Sequence, residues 1–442
     1  GRLHREPPSD HGPHRGSSNR AGLLPNYYPG EPGRLAARPI EEGTAVAPHI
    51  GARIAQARKA AGWTQAQLSQ RTHFSVQLVS AVEQGRKPAS PAFTTAAARA
   101  LNTDLQWLLG QDQVHRQHHS EQPGPAGELR AVIDAWDDPD IRGPLAPLDV
   151  LAQRIAAGER LRHRGRYDEL AATLPPVLRQ LYAHTADTTP GTELGEQVAA
   201  LLADGYSLLH AAANRYGLID VVAQAVDRHV DAAERSGDPL RPAVAAYRRT
   251  NHQMRYGNFT AALRSLQRAE RGIADITGPT ADAIRVQLAL RQSVVAARVG
   301  DRNLADELVT DARGRVRARR LPVAPYPNVI ASRLNADMHW MTAAMEAQDG
   351  TTALQRARKV TLPASHPDQP RVAHWHLDLA LAWLLHGDRA RSVAALNAAR
   401  RAAPQHVRYH PSLHETIATL AAQDARRTDS LAGLARWAEV RL

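Results

Sequence analysis

Residues 50–110 read IGARIAQARKAAGWTQAQLSQRTHFSVQLVSAVEQGRKPASPAFTTAAARALNTDLQWLLG, and the punctuation of this stretch decides the N-terminal fold. An apolar helix from Ile50 to Ala61 stops at Gly62. Thr64 has the side chain to cap a second helix through Gln70, and Ser75 to cap a third that ends at Gly85. Between them, the turn Thr72-His73-Phe74 puts His73 where the backbone needs a positive φ, a conformation easiest for Gly and tolerated by His. Ile54, Leu68, Val79 and Val82 fall on the inner faces of three successive helices, enough for a small core. The stretch therefore predicts a compact five-helix module with a helix-turn-helix at its centre.

In such a module the third helix enters the major groove of duplex DNA with its N-terminal residues at base edges. After the Ser75 cap, the outward positions are Val76, Gln77, Ser80 and Ala81. Gln77 could pair with an adenine, while Val76 and Ala81 could touch thymine methyls. Gln65, at the start of the second helix, would offer its amide to a phosphate, and the helix N-terminus adds a favourable dipole. Arg86 and Lys87, just beyond the third helix, suit the flanking DNA backbone. The competing reading is a helical module that kept its core and lost DNA binding.

The segment resembles the lambda-repressor/Cro-like (XRE) family over about sixty residues. The matching pieces are Thr64-Gln65-Ala66-Gln67-Leu68, Ser75 to Gly85 with its Glu83-Gln84-Gly85 end, and the closing Asp104-Leu105-Gln106-Trp107-Leu108-Leu109-Gly110. The resemblance implies that Arg58 and Glu83 pair internally and are structural. The family often has Arg, Gln or another polar residue where this chain has Val76 and Ala81, which leaves hydrogen-bonded readout mainly to Gln77.

The whole chain has 442 residues, too many for one ordinary domain. Its apolar fraction of 43% can bury a substantial core, and with only 5% aromatic residues and abundant Ala that core favours close-packed helices over sheets. The formal charge is +11; residues 50–110 hold seven basic against two acidic side chains, so nearly half the excess lies in about a seventh of the chain. Three lysines (Lys59, Lys87 and Lys359) stand against 52 arginines, a bias typical of GC-rich genomes. Without cysteine there is no disulfide framework, thiol nucleophile or Cys-ligated metal. No apolar run approaches the roughly 20 residues that span a bilayer and no signal peptide is visible, so a cytoplasmic protein without a membrane partner is expected.

Residues 1–47 are rich in Pro, Gly, Arg and Ser, without periodicity, and are expected to form a disordered tail. A basic arm on DNA is the alternative, but six Arg against five Asp/Glu leave this segment close to neutral. Its start at Gly1 rather than Met is expected of a truncated or over-long beginning. The helix-turn-helix domain is assigned to 48–111, a polar linker to 112–128, and a helical domain to 129–442.

That helical domain reads as helix pairs. In the clearest, PLRPAVAAYRRTNHQMRYGNFTAALRSLQRAERG, Gly257 turns the chain and Phe259, Ala262, Leu266 and Ala269 follow. Similar turns fall at Gly165, Gly217, Gly300 and Gly387, with a weaker one at Gln348-Asp349-Gly350. The strong glycines are 52, 40, 43 and 87 residues apart, and the last gap holds the weak copy. This pattern resembles degenerate tetratricopeptide repeats, which pack two helices per unit; an irregular helical bundle is the other reading. The fold class is thus all-α, a five-helix lambda-repressor-like domain followed by a tetratricopeptide-like α-solenoid.

Taken whole, the chain resembles XRE-type regulators of high-GC Gram-positive bacteria that carry such a C-terminal domain, with AAERSGDPL at 232–240 and AAPQHVRYHP at 402–411 like the family's own. The resemblance implies a homodimeric regulator of a double-stranded DNA operator, whose superhelix senses a peptide, small molecule or small protein. In a solenoid groove lined by first helices, Tyr247, Asn251, Met254 and Arg255, with Gln287 and Asn335 from neighbouring copies, are the candidate effector contacts.

Twenty-one histidines invite a metal reading. However, His115, His118 and His119 lack a carboxylate at ligand spacing, His374 and His376 fall on different helix faces, and Pro411 interrupts the His406, His410, His414 series. Asp137, Asp138 and Asp140 read as a helix cap. No metal or cofactor is implied, and no enzyme motif is present: neither G-x-S-x-G, H-E-x-x-H, a phosphate loop, nor G-x-G-x-x-G after a strand. The function expected is a sequence-specific transcription regulator; the alternative is a protein-interaction scaffold with a vestigial or docking helix-turn-helix module.

Overall fold

A computed structural model of the chain describes residues 48–110, 124–141, 143–318, 320–322, 325–327, 329–363, 366–423 and 429–440. The expected tail at 1–47 and the linker histidines His115, His118 and His119 lie outside the described residues. Those described are all-α, with 21 helices.

Five of them make the N-terminal module: α1 (Ile50–Ala60), α2 (Gln65–Thr72), α3 (Val76–Glu83), α4 (Pro91–Ala100) and α5 (Leu105–Leu108). Their core is Ile54, Leu68, Val79, Val82, Phe93, Ala97 and Leu108, every one essentially sealed from solvent. All four apolar residues expected inside are there, and Phe74 packs edge-on against Phe93, ring centroids 5.2 Å apart.

Helix α6 (Pro125–Asp134) begins within the stretch expected as linker. Pro125 occupies its first turn, where a fixed φ is already helical and the missing N–H costs nothing. Leu129, Val132 and Ile133 then bury it against the repeats.

Six helix pairs follow: α7 (Leu148–His163) with α8 (Tyr167–Ala186), α9 (Glu193–Arg215) with α10 (Ile219–Arg235), α11 (Arg241–Arg255) with α12 (Phe259–Gly272), α13 (Pro279–Val299) with α14 (Arg302–Ala318), α15 (Arg333–Glu346) with α16 (Gly350–Ala357), and α17 (Gln369–His386) with α18 (Arg389–Ala402). Short α19 (Pro404–Val407), then α20 (Pro411–Gln423) and α21 (Asp429–Trp437), end the described chain. Every pair turns on a left-handed residue. Gly165, Gly217, Gly257, Gly300 and Gly387 have φ between 68° and 92°, and Gln348 does the same work in the weak copy at 59°. A non-glycine there carries a steric cost, and without the glycine that marks the other turns the sequence signal is weak.

First helices of neighbouring pairs pack on one another, α13 on α11 and on α15, and α15 on α17, and so form the inner side of the curve. The curve brings its early and late pairs together. The Tyr167 amide donates to Gln405 Oε1 at 2.8 Å, Gln405 Nε2 donates to Asp168 at 2.8 Å, and Arg215 donates to the His406 carbonyl at 3.1 Å. Met254, expected on the groove side, is instead buried with Phe259 and Leu266, where α11 meets its partner helix.

Candidate nucleic-acid interface

The local geometry of the helix-turn-helix follows from its caps. Thr64 Oγ1 accepts from the Gln67 amide while Gln67 Oε1 accepts from the Thr64 amide at 2.8 Å, a reciprocal capping box. His73 closes α2 in the left-handed conformation, φ 60° and ψ 27°. Ser75 Oγ accepts from the Leu78 amide at 3.2 Å and starts α3. Ser69 Oγ donates to the Phe74 carbonyl at 2.6 Å, fixing the turn between the two helices.

Arg58 and Glu83 lock α1 to the end of α3. Arg58 Nε donates to Glu83 Oε1 at 2.6 Å and its Nη2 to Oε2 at 2.9 Å, a bidentate pair with both side chains at most 10% exposed. Arg58 also donates to the Trp63 carbonyl at 2.5 Å. The Glu83 hydrogen bond holds the guanidinium above its ordinary pKa, outweighing burial. Gln65, read from the sequence as a phosphate contact, is drawn into this lock: its Nε2 donates to Glu83 Oε2 at 2.8 Å. The carboxylate thus occupies an amide proton that the sequence reading gave to a phosphate.

The other candidates share one exposed surface. Ser75, Val76, Gln77, Arg86 and Lys87 are exposed, and Ser80 and Ala81 are partly so. Val76 is 41% accessible, in the first turn of a helix whose other two valines are sealed. Ser80 Oγ accepts from Gln84 Nε2 at 3.2 Å. The surface thus combines an amide at Gln77, an apolar spot at Val76 and two cations.

The module is docked on the repeats through the start of α1, the turn after α3, and α4 and α5. Glu415 of α20 accepts from the Ile50 amide at 2.8 Å, and Gln423 Nε2 donates to the Gly85 carbonyl at 2.9 Å. Arg99 Nη2 donates to the Gly257 carbonyl at 3.0 Å, and Gln106 Nε2 to the Arg255 carbonyl at 3.4 Å. Sequence reasoning missed these contacts, because each joins residues between 149 and 365 positions apart.

The effector candidates divide. Tyr247 is buried on α11 and its hydroxyl accepts from Arg291 Nη2 at 2.5 Å. Asn335 is buried on α15; its Oδ1 accepts from Arg371 Nε at 2.9 Å and its Nδ2 donates to the Ile330 carbonyl at 2.8 Å. Gln287 Oε1 accepts from the Ile330 amide at 3.2 Å. Asn251 is partly buried one helical turn before Arg255, which is also partly buried and has its Nη1 enclosed without a hydrogen-bond partner. Arg291, Arg371 and Arg248 were not singled out from the sequence. Their signal was a charge inside apolar runs such as Leu288-Ala289-Leu290-Arg291.

His374, His406 and His410 come together, with the His374 and His406 ring centroids 5.3 and 6.1 Å from that of His410. Burial drives His374 and His406 down to about 3, and His410 also lies well below its ordinary value. Among the described residues no group of His, Asp or Glu has the arrangement to hold a metal ion, and no helix is long and apolar enough to cross a membrane.

Comparison with solved structures finds similar chains at low identity. The crystal structure of BtubC (BKLC) from P. vanneervenii is 14% identical, covering 63% of this chain and 96% of its own, with a TM-score of 0.33. Bacillus thuringiensis PlcR in complex with the peptide PapR7 and DNA is 12% identical over 79% of this chain and 100% of its own, TM-score 0.35. The apo form of RapI is 11% identical over 62% and 70%, TM-score 0.36. No curated protein matches the chain. The family model described as a helix-turn-helix domain matches residues 49–106, the span of α1 to the start of α5, and these residues are a helix-turn-helix domain.

Proposed function

We propose that the protein is a sequence-specific DNA-binding transcription regulator, acting as a homodimer on an inverted repeat, whose helical-repeat domain senses a ligand. The observation that carries this reading is the way the module is docked. The side chains of Ser75, Val76, Gln77, Arg86 and Lys87 are exposed, while Ile50, the Gly85 carbonyl in the turn after α3, Arg99 and Gln106 tie the module to the repeats. A docked domain that keeps its reading face free is suited to DNA binding under the control of whatever it is docked on.

In this reading α3 lies in the major groove with Gln77 at an adenine edge and Val76 near a thymine methyl. Arg86 and Lys87 take the flanking phosphates, as does the N-terminus of α2. The repeat domain contributes dimer geometry and the effector site, with Tyr247 and Asn335 on its inner side and Asn251, Arg255 and Gln287 beside them.

The test is binding of the full chain to labelled genomic duplex fragments across a salt series. The proposal expects tight binding at low salt, with log K falling linearly against log salt as counterions are released. No detectable duplex affinity at low salt would defeat it and favour a scaffold.

A further inference from the structure

The inner side of the repeats holds more buried positive charge than its carboxylates answer. Arg162 of α7 is matched, donating to Glu159 Oε1 and Oε2 at 2.7 and 2.8 Å, and His163 lies 3.2 Å from Asp368. Three neighbouring guanidiniums have only neutral hydrogen-bond partners among the described residues. Arg248, 7% exposed, donates to Ser207 Oγ at 2.9 Å and meets His210 Nδ1 at 3.3 Å. Arg291 donates to the Tyr247 hydroxyl and keeps its Nε buried without a partner. Arg371 donates to Asn335 Oδ1 and meets His339 Nδ1 at 3.0 Å. Asp378 and Asp368 lie within electrostatic reach of Arg371, and Glu159 within reach of Arg248. Asp378 is held by the Thr342 hydroxyl at 2.7 Å and burial pushes its pKa up, while Glu159 and Asp368 are engaged by Arg162 and His163.

These arginines come from α11, α13 and α17, first helices of three separate pairs; Arg291 reaches α11 through the Tyr247 hydroxyl, and Arg371 lies within electrostatic reach of both Tyr247 and Arg291. Their shared field is legible at Tyr247. Burial pushes its hydroxyl up, yet Arg291, Arg248 and Arg371 together bring it below its ordinary value. His210 and His339 are held neutral by burial and by the adjacent guanidiniums, so they add no charge. Arg248, lowered to about 10 chiefly by burial, is still a cation at neutral pH. Like charges enclosed without a hydrogen-bonded carboxylate are costly, and a planar guanidinium fork is matched to carboxylate and phosphate oxygens.

We infer that the inner face around Tyr247 is an anion-binding site, in which Arg248, Arg291 and Arg371 converge on a phosphate or carboxylate group of a small effector. Arg291 and Arg371 are only partly buried, which leaves them reachable from the interior of the curve. Asn335 and Tyr247 are positioning residues, orienting Arg371 and Arg291. This site deepens the reading of the repeat domain as a sensor and rests on it.

The experiment uses the full chain, titrated with sodium pyrophosphate or trisodium citrate against sodium chloride at matched ionic strength. Thermal unfolding and equilibrium dialysis are the readouts. The site predicts a saturable rise in Tm with at least one of the two anions, and the stronger of them identifies the phosphate or the carboxylate class. Arg371→Gln and Arg248→Gln should each weaken binding about tenfold or more. Arg389→Gln, at an exposed position on α18, is the control and should leave binding intact.

The melting temperature of the anion-free variants separates binding from structure. Relief of like-charge crowding predicts that Arg371→Gln and Arg248→Gln melt no lower than the parent chain. The site is overturned if neither anion raises Tm beyond chloride, or if the variants bind as well as the parent. Variants that melt lower as well as binding more weakly would mark these arginines as structural and overturn it too. DNA affinity with and without the bound anion reports separately on the sensor reading, since an anion that binds and leaves DNA affinity unchanged removes the sensor and keeps the site.

Discussion

Glu415 on α20 accepts a hydrogen bond at 2.8 Å from the amide of Ile50, the first residue of α1 and 365 positions earlier in the chain. A helix leaves its first amides without partners of its own, and here one of them is answered by a carboxylate from the far end of the repeats. The helix-turn-helix module is thereby joined to the repeat domain through a titratable group.

Burial drives the Glu415 carboxyl up to about 7, against the Ile50 hydrogen bond and the Arg53 charge, which favour ionisation. A raised carboxyl means that the folded chain holds a proton the unfolded chain has lost. Stability should therefore fall as pH rises from about 4.5 to about 7, and the loss should be complete above that. Glu415→Gln keeps an acceptor for Ile50 without the charge. It should flatten this part of the stability profile and stabilise the chain at pH 8 by on the order of 1 kcal/mol, measured by urea unfolding from about pH 5 to 8.

Glu83→Ala should be among the most damaging changes in the module. It strands the Arg58 guanidinium in a nearly closed site and releases Gln65. The expected loss is about 3 kcal/mol, read from the urea midpoint, and Arg58→Met in the same background should recover part of it.

Gly257 and Gly387 both turn the chain at positive φ, 68° and 88°, but only one has a neighbour. A methyl at Gly387 meets nothing within 4 Å, whereas one at Gly257 would run into the Thr95 side chain of α4. Gly387→Ala should cost the backbone strain alone, about 1 to 2 kcal/mol. Gly257→Ala should cost more and loosen the module from the repeats, seen as faster amide exchange in α4 with α17 and α18 unchanged.

Lys87 is exposed beyond α3 and touches no base in the proposed pose. Lys87→Ala should weaken binding to all duplexes alike and lower the salt slope by about 0.9, the contribution of one phosphate contact. A loss confined to one sequence would place Lys87 at a base edge instead.

Much of the module was legible because its signals are local. Thr64, Ser75 and His73 act within a few residues of themselves, and Ile54, Leu68, Val79 and Val82 needed only helical spacing to be placed inside. The turns at Gly165, Gly217, Gly257, Gly300 and Gly387 were legible for the same reason, and Gln348 was faint because it lacks the glycine that marks the others. Long-range relations were not. Gln65 was free to face a phosphate until Glu83 came within 2.8 Å, and nothing near Ile50 announces Glu415. Likewise, Arg248, Arg291 and Arg371 are separated by 43 and 80 positions, and their convergence depends on the packing of the stacked pairs rather than on any local pattern.

We propose that α3 reads sequence through Gln77. Selection of bound duplexes from a random pool, run in parallel with the parent chain and Gln77→Ala, tests it most directly. An inverted repeat is expected for the parent, its half-sites about 34 Å apart or one helical turn, with a preference lost at one base step per half-site in the variant. Enrichment of no sequence by the parent chain, or of an unchanged motif by Gln77→Ala, would contradict it.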